Sequence, residues 1–319
     1  MINLKYVFGP VPSRRLGRSL GVNNIPPKHC SYSCIYCQLG RTPNLVIHRR
    51  VFYPWRDIVK EVVSAVRNIG EENIDYITFV PDGEPTLDIN LGMELKEIRK
   101  NVNIPLAVLT NGSLLSRQDV RDDLQKADLV SIKVDAIKEQ TFRKINRPHR
   151  GLTLSTILEG IRAFSRRYGG KIITETMLIE NVNDKLEEIE SIALFIKSID
   201  PYKAYIAIPT RPPAERWVHP AKEESVLRAY TVFSKYLGED KVELLIGYEG
   251  PDFKTIRDPI ESILAITSVH PMRLDYAYGF LEKHGLSPEE TIEKLARDGK
   301  IVILNYRGHK FVMRKIVSR

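Results

Sequence analysis

Residues 75–111 read DYITFVPDGEPTLDINLGMELKEIRKNVNIPLAVLTN. An apolar run rich in β-branched and aromatic residues, Asp75–Pro81, ends in a turn. A stretch of helical period follows over Asn90–Asn101, and a second apolar run, Pro105–Thr110, completes the unit. Strand, helix, strand is a βαβ unit, whose two strands run parallel because the crossover returns the chain to the same end. The pattern continues in both directions. Strands are predicted at Leu20–Ile25, Leu129–Asp135, Ile172–Ile179 and Ala204–Pro209, with a seventh at Val242–Ile246. Helices are predicted near Asp57–Ile69, Arg117–Lys126, Thr153–Tyr168, Asp184–Ile199 and Ala221–Leu237. Six such units give an α/β fold with a parallel sheet, either a partial barrel or a doubly wound sheet. Periodicity does not choose between them.

In both arrangements active groups sit in loops that leave the C-terminal ends of the strands. The unusual residues fall there. DGEP follows the second strand, TNG the third, Asp135 ends the fourth, and PTRPP follows the sixth. Past Tyr248 the texture changes. EGPDFKTIRDP, residues 249–259, is rich in turn-forming and charged residues and reads as a linker between a unit of residues 1–250 and a smaller one of 251–319. Three short helices are predicted beyond it, near Pro259–Ser268, Arg273–His284 and Pro288–Arg297. Ser287 is the expected N-cap of the third, with Glu290 completing a capping box. IVILNYRGHKFVMRKI then reads as a hairpin turning at Arg307–Gly308–His309. Three helices and a hairpin is the layout of a winged helix.

The chain has three cysteines in 319 residues, all within HCSYSCIYCQLG, residues 29–40. An odd, clustered set is not a disulfide framework. Cys30, Cys34 and Cys37 are spaced to converge on one metal centre, and thiolates are the ligands that iron–sulfur clusters require. With no fourth cysteine, one iron of a four-iron cluster is left for an exogenous ligand. The alternative is a zinc site completed by a later histidine.

This spacing, with Tyr36 before the last cysteine, resembles the radical S-adenosylmethionine superfamily. The resemblance implies a partial (β/α)6 barrel of the radical SAM type, here with a small C-terminal winged-helix domain. It implies a [4Fe–4S] cluster and S-adenosyl-L-methionine as cofactors. The methionine moiety would chelate the open iron, and reductive cleavage would give a 5′-deoxyadenosyl radical. Gly83-Glu84-Pro85 resembles the family's GGE motif, with Asp82 in place of its first glycine. By that resemblance the backbone at Gly83 and the Glu84 carboxylate meet the methionine ammonium. Thr110 and Asn111 are expected to hold ribose or methionine, and Pro209 to pack on adenine. Lys133 and Asp135 stand two residues apart on one face, so both should point into the barrel and contact the cofactor or its radical product. They are the expected catalytic pair, with Glu175 beside them as a cofactor contact. The plainer readings are a strand-ending turn at Gly-Glu-Pro, turn chemistry at TNG, and a structural ion pair at Lys133 and Asp135.

FGPVPSRRLGRSLGVN, residues 8–23, together with CSYSCIYCQLGRT and GEPTL, is similar to the wyosine-synthetase-like iron–sulfur oxidoreductase branch. True wyosine synthetases carry a second cluster on additional cysteines. This chain has none, so the resemblance is to a single-cluster relative.

The net charge of +8 favours polyanionic partners, though high Lys and Glu also suit charged surface networks. Basic residues gather at Arg14/Arg15/Arg18, in FRKINRPHRG after the fourth strand, at Arg211/Arg216, and in the hairpin. Substrate contacts are expected at Arg143, Arg147, His149, Arg211, Arg314 and Lys315. The resulting reading is a radical enzyme that modifies RNA, tRNA foremost, with a ferredoxin- or flavodoxin-type low-potential electron donor. Two others stay open. One is a radical enzyme acting on a protein or small metabolite, with the winged helix as docking module. The other is a non-catalytic iron–sulfur regulator that binds DNA. No apolar run approaches the ~20 residues of a membrane span, and no secretory signal is visible, so a cytoplasmic protein without a membrane partner is expected.

Overall fold

The computed structural model describes residues 5–80, 82–247, 258–269 and 271–315. The chain opens with an antiparallel hairpin of β1 (Val7–Ser13) and β2 (Gly17–Val22). Six further strands follow: β3 (Tyr76–Phe79), β4 (Leu106–Thr110), β5 (Leu129–Lys133), β6 (Lys171–Met177), β7 (Lys203–Ala207) and β8 (Val242–Leu245). Each is parallel to the strand before it, and the spatial order of the sheet is the chain order. A doubly wound sheet needs a switch point where strand order reverses. This sheet has none. Every crossover therefore turns the same way, the helices cover one face, and the sheet curls into a partial barrel.

The covering helices are α1 (Trp55–Ile69), α2 (Leu91–Arg99), α3 (Gln118–Leu124), α4 (Glu139–Ile145), α5 (Leu154–Ser165), α6 (Leu186–Lys197) and α7 (Glu223–Leu237). Alternation along the strands sorts the side chains. Ile77, Phe79, Leu106, Val108 and Ile132 point outward into the helix layer. Ala107, Leu129, Ile173, Tyr205 and Leu245 point inward, with Leu16 from the β1–β2 turn packed among them. The predicted strands and helices match these elements to within a few residues. Two elements of the barrel, one strand and one helix, were not predicted. The run VFGPVPS of β1 carries a glycine and two prolines, and survives as an edge strand with an irregular register between Phe8 and Val11. The second, α4, has only seven residues and buries only Phe142 and Ile145, too short for a periodic signal.

The C-terminal segment runs α8 (Pro259–Val269), β9 (Met272–Arg273), α9 (Leu274–Lys283), α10 (Pro288–Arg297), β10 (Ile301–Tyr306) and β11 (His309–Arg314). Its three strands pair in the order β10-β11-β9. The Arg307–Gly308 turn has φ of 49° and 76°, the two left-handed residues of a type I′ hairpin. Ser287 is the N-cap of α10, but its side chain makes no cap bond, so the expected capping box is not formed. Ile263, Met272, Phe280, Ile292, Ile301 and Val312 form one core with Phe8 and Val11 of β1. The segment is thus fastened to the barrel through the edge strand. Residues 249–257 of the expected linker lie outside the described residues.

Candidate active site

The residues between β2 and α1 form a long loop that carries the three cysteines. It is held by backbone bonds on several sides. Val46 N donates to Cys30 O at 3.0 Å, His149 N to Ser31 O at 2.9 Å, and Glu84 N to His29 O at 2.9 Å. Tyr32 and Ile35 anchor it in the outer core. The thiols are unbridged and half-buried. Each sulfur has a side-chain nitrogen donor in reach. Asn111 Nδ2 lies 3.6 Å from Cys30 Sγ, Asn146 Nδ2 3.5 Å from Cys34 Sγ, and Lys28 Nζ 3.8 Å from Cys37 Sγ. Such contacts stabilise sulfur carrying negative charge and help to set a cluster's potential. Burial, with Glu84 next in weight, pushes the Cys30 thiol up to about 12, and burial with Asp135 raises Cys34 as well. Their protons leave in exchange for metal. Among the described residues no three His, Cys, Asp or Glu side chains are grouped to hold a single ion. Three thiolates, each with its own donor, fit a cluster in which each takes a separate iron.

The Gly-Glu-Pro turn packs against this loop. Gly83 permits a close backbone approach, as expected, but the partner is the chain itself: a Cβ there would stand 1.9 Å from the His29 carbonyl oxygen. Glu84 is buried and accepts four bonds. Its Oε1 takes Thr86 N (3.1 Å), Thr86 Oγ1 (2.5 Å) and Thr110 Oγ1 (2.6 Å), and its Oε2 takes Asn111 N (2.7 Å). Burial raises its carboxyl and these bonds pull it back. Thr110 and Asn111 therefore brace Glu84, and Asn111 also reaches Ser31 Oγ at 2.9 Å.

Lys133 and Glu175 are register partners on β5 and β6 and form an ion pair. Arg15, from the β1–β2 turn, pairs with the same carboxylate. Lys133 Nζ lies 5.6 Å from the centre of the Tyr36 ring. Burial pushes Lys133 down to about 8, with Arg15 acting in the same direction. Asp135 departs from expectation. Strand β5 ends at Lys133, so the alternation that would aim Asp135 inward has already stopped. Its carboxylate accepts from the Tyr36 hydroxyl, from Asn146 Nδ2 at 2.8 Å and from Met177 N at 2.9 Å. It anchors the cysteine loop and does not line the cavity.

That cavity, about 350 Å³, opens at the strand ends. Its wall includes the three cysteines, Tyr36, Gly83, Glu84, Thr110, Asn111, Lys133, Glu175, Pro209 and Arg211. The other expected substrate residues lie elsewhere. Arg143 pairs with Glu139 on the exposed side of α4. Arg147, together with Arg41, grips Glu215. His149 Nδ1 accepts from Gly151 N at 3.0 Å. Arg314 and Lys315 are exposed at the end of β11. Following a strand did not bring the 143–150 segment to the cavity, because its first half folds into α4 and its second half props the cysteine loop. Residues missed in the sequence include Lys28 and Asn146. Arg15 was read only as part of a basic cluster, and its pairing with Glu175 was not foreseen.

Residues 24–196, more than half of the chain, match the family model described as the Radical SAM superfamily. The chain belongs to the radical SAM superfamily. It is a radical SAM enzyme that cleaves S-adenosylmethionine, with a [4Fe–4S] cluster and S-adenosylmethionine as cofactors. A UPF0026 protein of Methanocaldococcus jannaschii is 47% identical over 312 residues, covering 98% of this chain and 97% of that one. The dual-specificity RNA methyltransferase RlmN of an Anaeromyxobacter species is 28% identical over 256 residues, covering 73% and 64%. The structure of TYW1 with a lysine–pyruvate adduct bound superposes with a TM-score of 0.51 at 16% identity, covering 68% of this chain and 73% of that one. That likeness is one of radical SAM fold. No helix among the described residues is long and apolar enough to cross a membrane.

Proposed function

We propose that this chain is a single-cluster radical SAM enzyme that modifies RNA, with tRNA the first candidate. The observation that carries the reading is the docking of a basic hairpin at the cavity rim. Tyr306 Oη of β10 donates to the carbonyl of Pro209, a residue of the cavity wall, at 2.9 Å. Arg211, also on the wall, donates through Nε to Pro271 O at 3.2 Å. The same hairpin exposes Arg307, Lys310, Arg314 and Lys315. A polyanion held on the winged-helix-like segment by those side chains lies beside the mouth of the cavity. The relationship to an RNA methyltransferase supports the same class of substrate.

In this reading Cys30, Cys34 and Cys37 hold the cluster, and the absence of other cysteines from the sequence leaves no thiols for a second one. When bound and reduced, cluster and S-adenosylmethionine together supply a carbon radical that abstracts hydrogen from the substrate. The chain's own residues position and exclude. Gly83, Glu84, Thr110 and Asn111 form the wall next to the cysteine loop, and Tyr36 of that loop, tied by Asp135, adds its ring to the lining. Lys133 and Glu175 present a charged pair to ligand groups inside the barrel, and Pro209 gives a flat apolar surface at the rim. Arg211 stands where a phosphate enters. A low-potential ferredoxin- or flavodoxin-type protein supplies the electron.

The test is tRNA binding at several salt concentrations with Arg314→Glu and Lys315→Glu. Each change should reduce the salt slope by about one, and a deletion strain should lack a modified nucleoside present in the wild type. An unchanged RNA nucleoside profile, with binding no stronger than to a neutral polymer, would sink the RNA reading in favour of a protein or small-molecule substrate.

A further inference from the structure

The basic segment 140–151 does not reach the cavity, and 209–222 leaves it after Arg211. Both lie against the cysteine loop from the other side. Ser33 N donates to Asn146 O at 3.1 Å, Ile35 N to Ile145 O at 3.0 Å and His149 N to Ser31 O at 2.9 Å, while Glu215 N donates to Ile35 O at 3.1 Å. The loop residues bonded in this way, Ser31, Ser33 and Ile35, are absent from the cavity wall, whereas Cys30, Tyr32, Cys34 and Tyr36 belong to it. The three segments meet at one side chain. Glu215 pairs with Arg41 of the loop and with Arg147.

The face they form is strongly one-signed. Residues 26–50, 140–151 and 209–222 contain eleven lysines and arginines and a single acid, Glu215, an excess larger than the +8 of the whole chain. Some of these cations find acids elsewhere: Arg49 at Asp119 and Asp123, Arg143 at Glu139, Lys222 at Glu180. Lys144, Arg150 and Arg216 are exposed and make no ion pair among the described residues. Trp217, beside Arg216, is 47% exposed. An uncompensated positive face of this kind steers in an anionic partner. A nucleic acid fits the charge but not the position, because a substrate must present its C–H inside the cavity, across the loop. An electron needs only a short path to the cluster. Here the path is one side chain: Asn146, between Ile145 and Arg147 in the basic segment, is buried and brings Nδ2 to 3.5 Å from Cys34 Sγ.

We propose that this face, carrying Lys144, Arg150, Arg216 and Trp217, is the docking surface for an acidic, low-potential one-electron carrier protein. The proposal rests on the radical SAM reading and its need for an electron donor, and not on RNA as the substrate. One electron leaves the reduced carrier and enters the cluster. No bond forms or breaks, and no proton passes between the partners. Electron-transfer encounters are small and transient. Charge on the rim sets their rate of association and its salt dependence, and the Trp217 ring supplies an apolar contact.

The experiment uses the full chain with its cluster reconstituted and a bacterial flavodoxin, an acidic carrier, as the probe. Binding is measured by calorimetry at low and high salt, and cluster reduction by stopped-flow absorbance with reduced flavodoxin or with dithionite. The variant is the triple Lys144→Glu, Arg150→Glu, Arg216→Glu. At low salt its Kd for flavodoxin should weaken about tenfold or more, with the gap closing as salt rises. Reduction by flavodoxin should slow by a comparable factor, while reduction by dithionite and the iron content stay as in the wild type. The same three positions changed to Gln should move binding and rate in the same direction by less. Binding and reduction of the Glu variant equal to wild type would overturn the proposal. So would a loss of tRNA affinity in that variant with flavodoxin binding intact, which would give the face to nucleic acid. Neither flavodoxin readout involves a substrate, so a failure here is separate from a failure of the RNA reading.

Discussion

A Cβ at position 83 would lie 1.9 Å from the carbonyl oxygen of His29 and 2.7 Å from its carbonyl carbon. The Gly-Glu-Pro turn and the cysteine loop thus meet backbone to backbone, with Glu84 N bonded to that same oxygen. Gly83→Ala must part them. We expect a loss of about 1–3 kcal/mol, the range for overpacking a closed site, and fewer irons retained per chain after reconstitution. Thermal unfolding and iron analysis check this. Wild-type stability with a full iron complement would contradict the contact.

Glu84→Gln should destabilise the protein before any ligand is involved. The carboxylate accepts from four donors, and an amide offers only one acceptor oxygen to that set. The expected cost is about 1.5–3 kcal/mol, typical of bonds to a buried charged group. Denaturant unfolding of cluster-free protein is the measurement. A loss confined to S-adenosylmethionine affinity, with stability unchanged, would mean that the carboxylate is not the brace described above.

Asp82 gives a pH dependence. Burial raises its carboxyl to about 7, only partly offset by Asn23, Lys28 and Arg314. The folded protein therefore holds this proton more tightly than the unfolded chain. Its contribution to stability is full below the ordinary carboxylate range and is lost as pH climbs through about 7. Asp82→Asn should flatten that decline and unfold at a higher denaturant concentration than wild type at pH 8. Parallel stability profiles from pH 4 to 8 would exclude Asp82 as the source.

Tyr306→Phe removes one bond between the hairpin and the cavity wall. The cost should be modest, about 0.5–1.5 kcal/mol, and local. Hydrogen exchange should accelerate in residues 301–314 while the amides of β4 and β5 keep their protection. Unchanged exchange in the hairpin would show that the Pro209 contact does not hold it.

The barrel was legible because its strands are buried apolar runs separated by helices of regular period. Sheet order was not, since partial barrels and doubly wound sheets share that alternation. The cysteine centre was read from three residues. What surrounds it was less visible, because those contacts join distant segments. Asn146 reaches Cys34, and Arg15 reaches Glu175 from the opposite end of the chain. Asp135 shows how period-2 reasoning fails: it holds only while the strand lasts, and β5 stops two residues short. Arg143, Arg147 and His149 were placed by the rule that function follows strand ends. Here that segment supports the cysteine loop from outside the cavity.

The most direct measurement is 5′-deoxyadenosine formed by anaerobically reconstituted, reduced protein supplied with S-adenosylmethionine, comparing wild type with Cys30→Ala, Cys34→Ala and Cys37→Ala. The wild type should form it and hold about four irons per chain, the number in a [4Fe–4S] cluster. Each single variant should form none and lose the cluster. Continued formation in any of the three would contradict the assignment of the cluster to these cysteines.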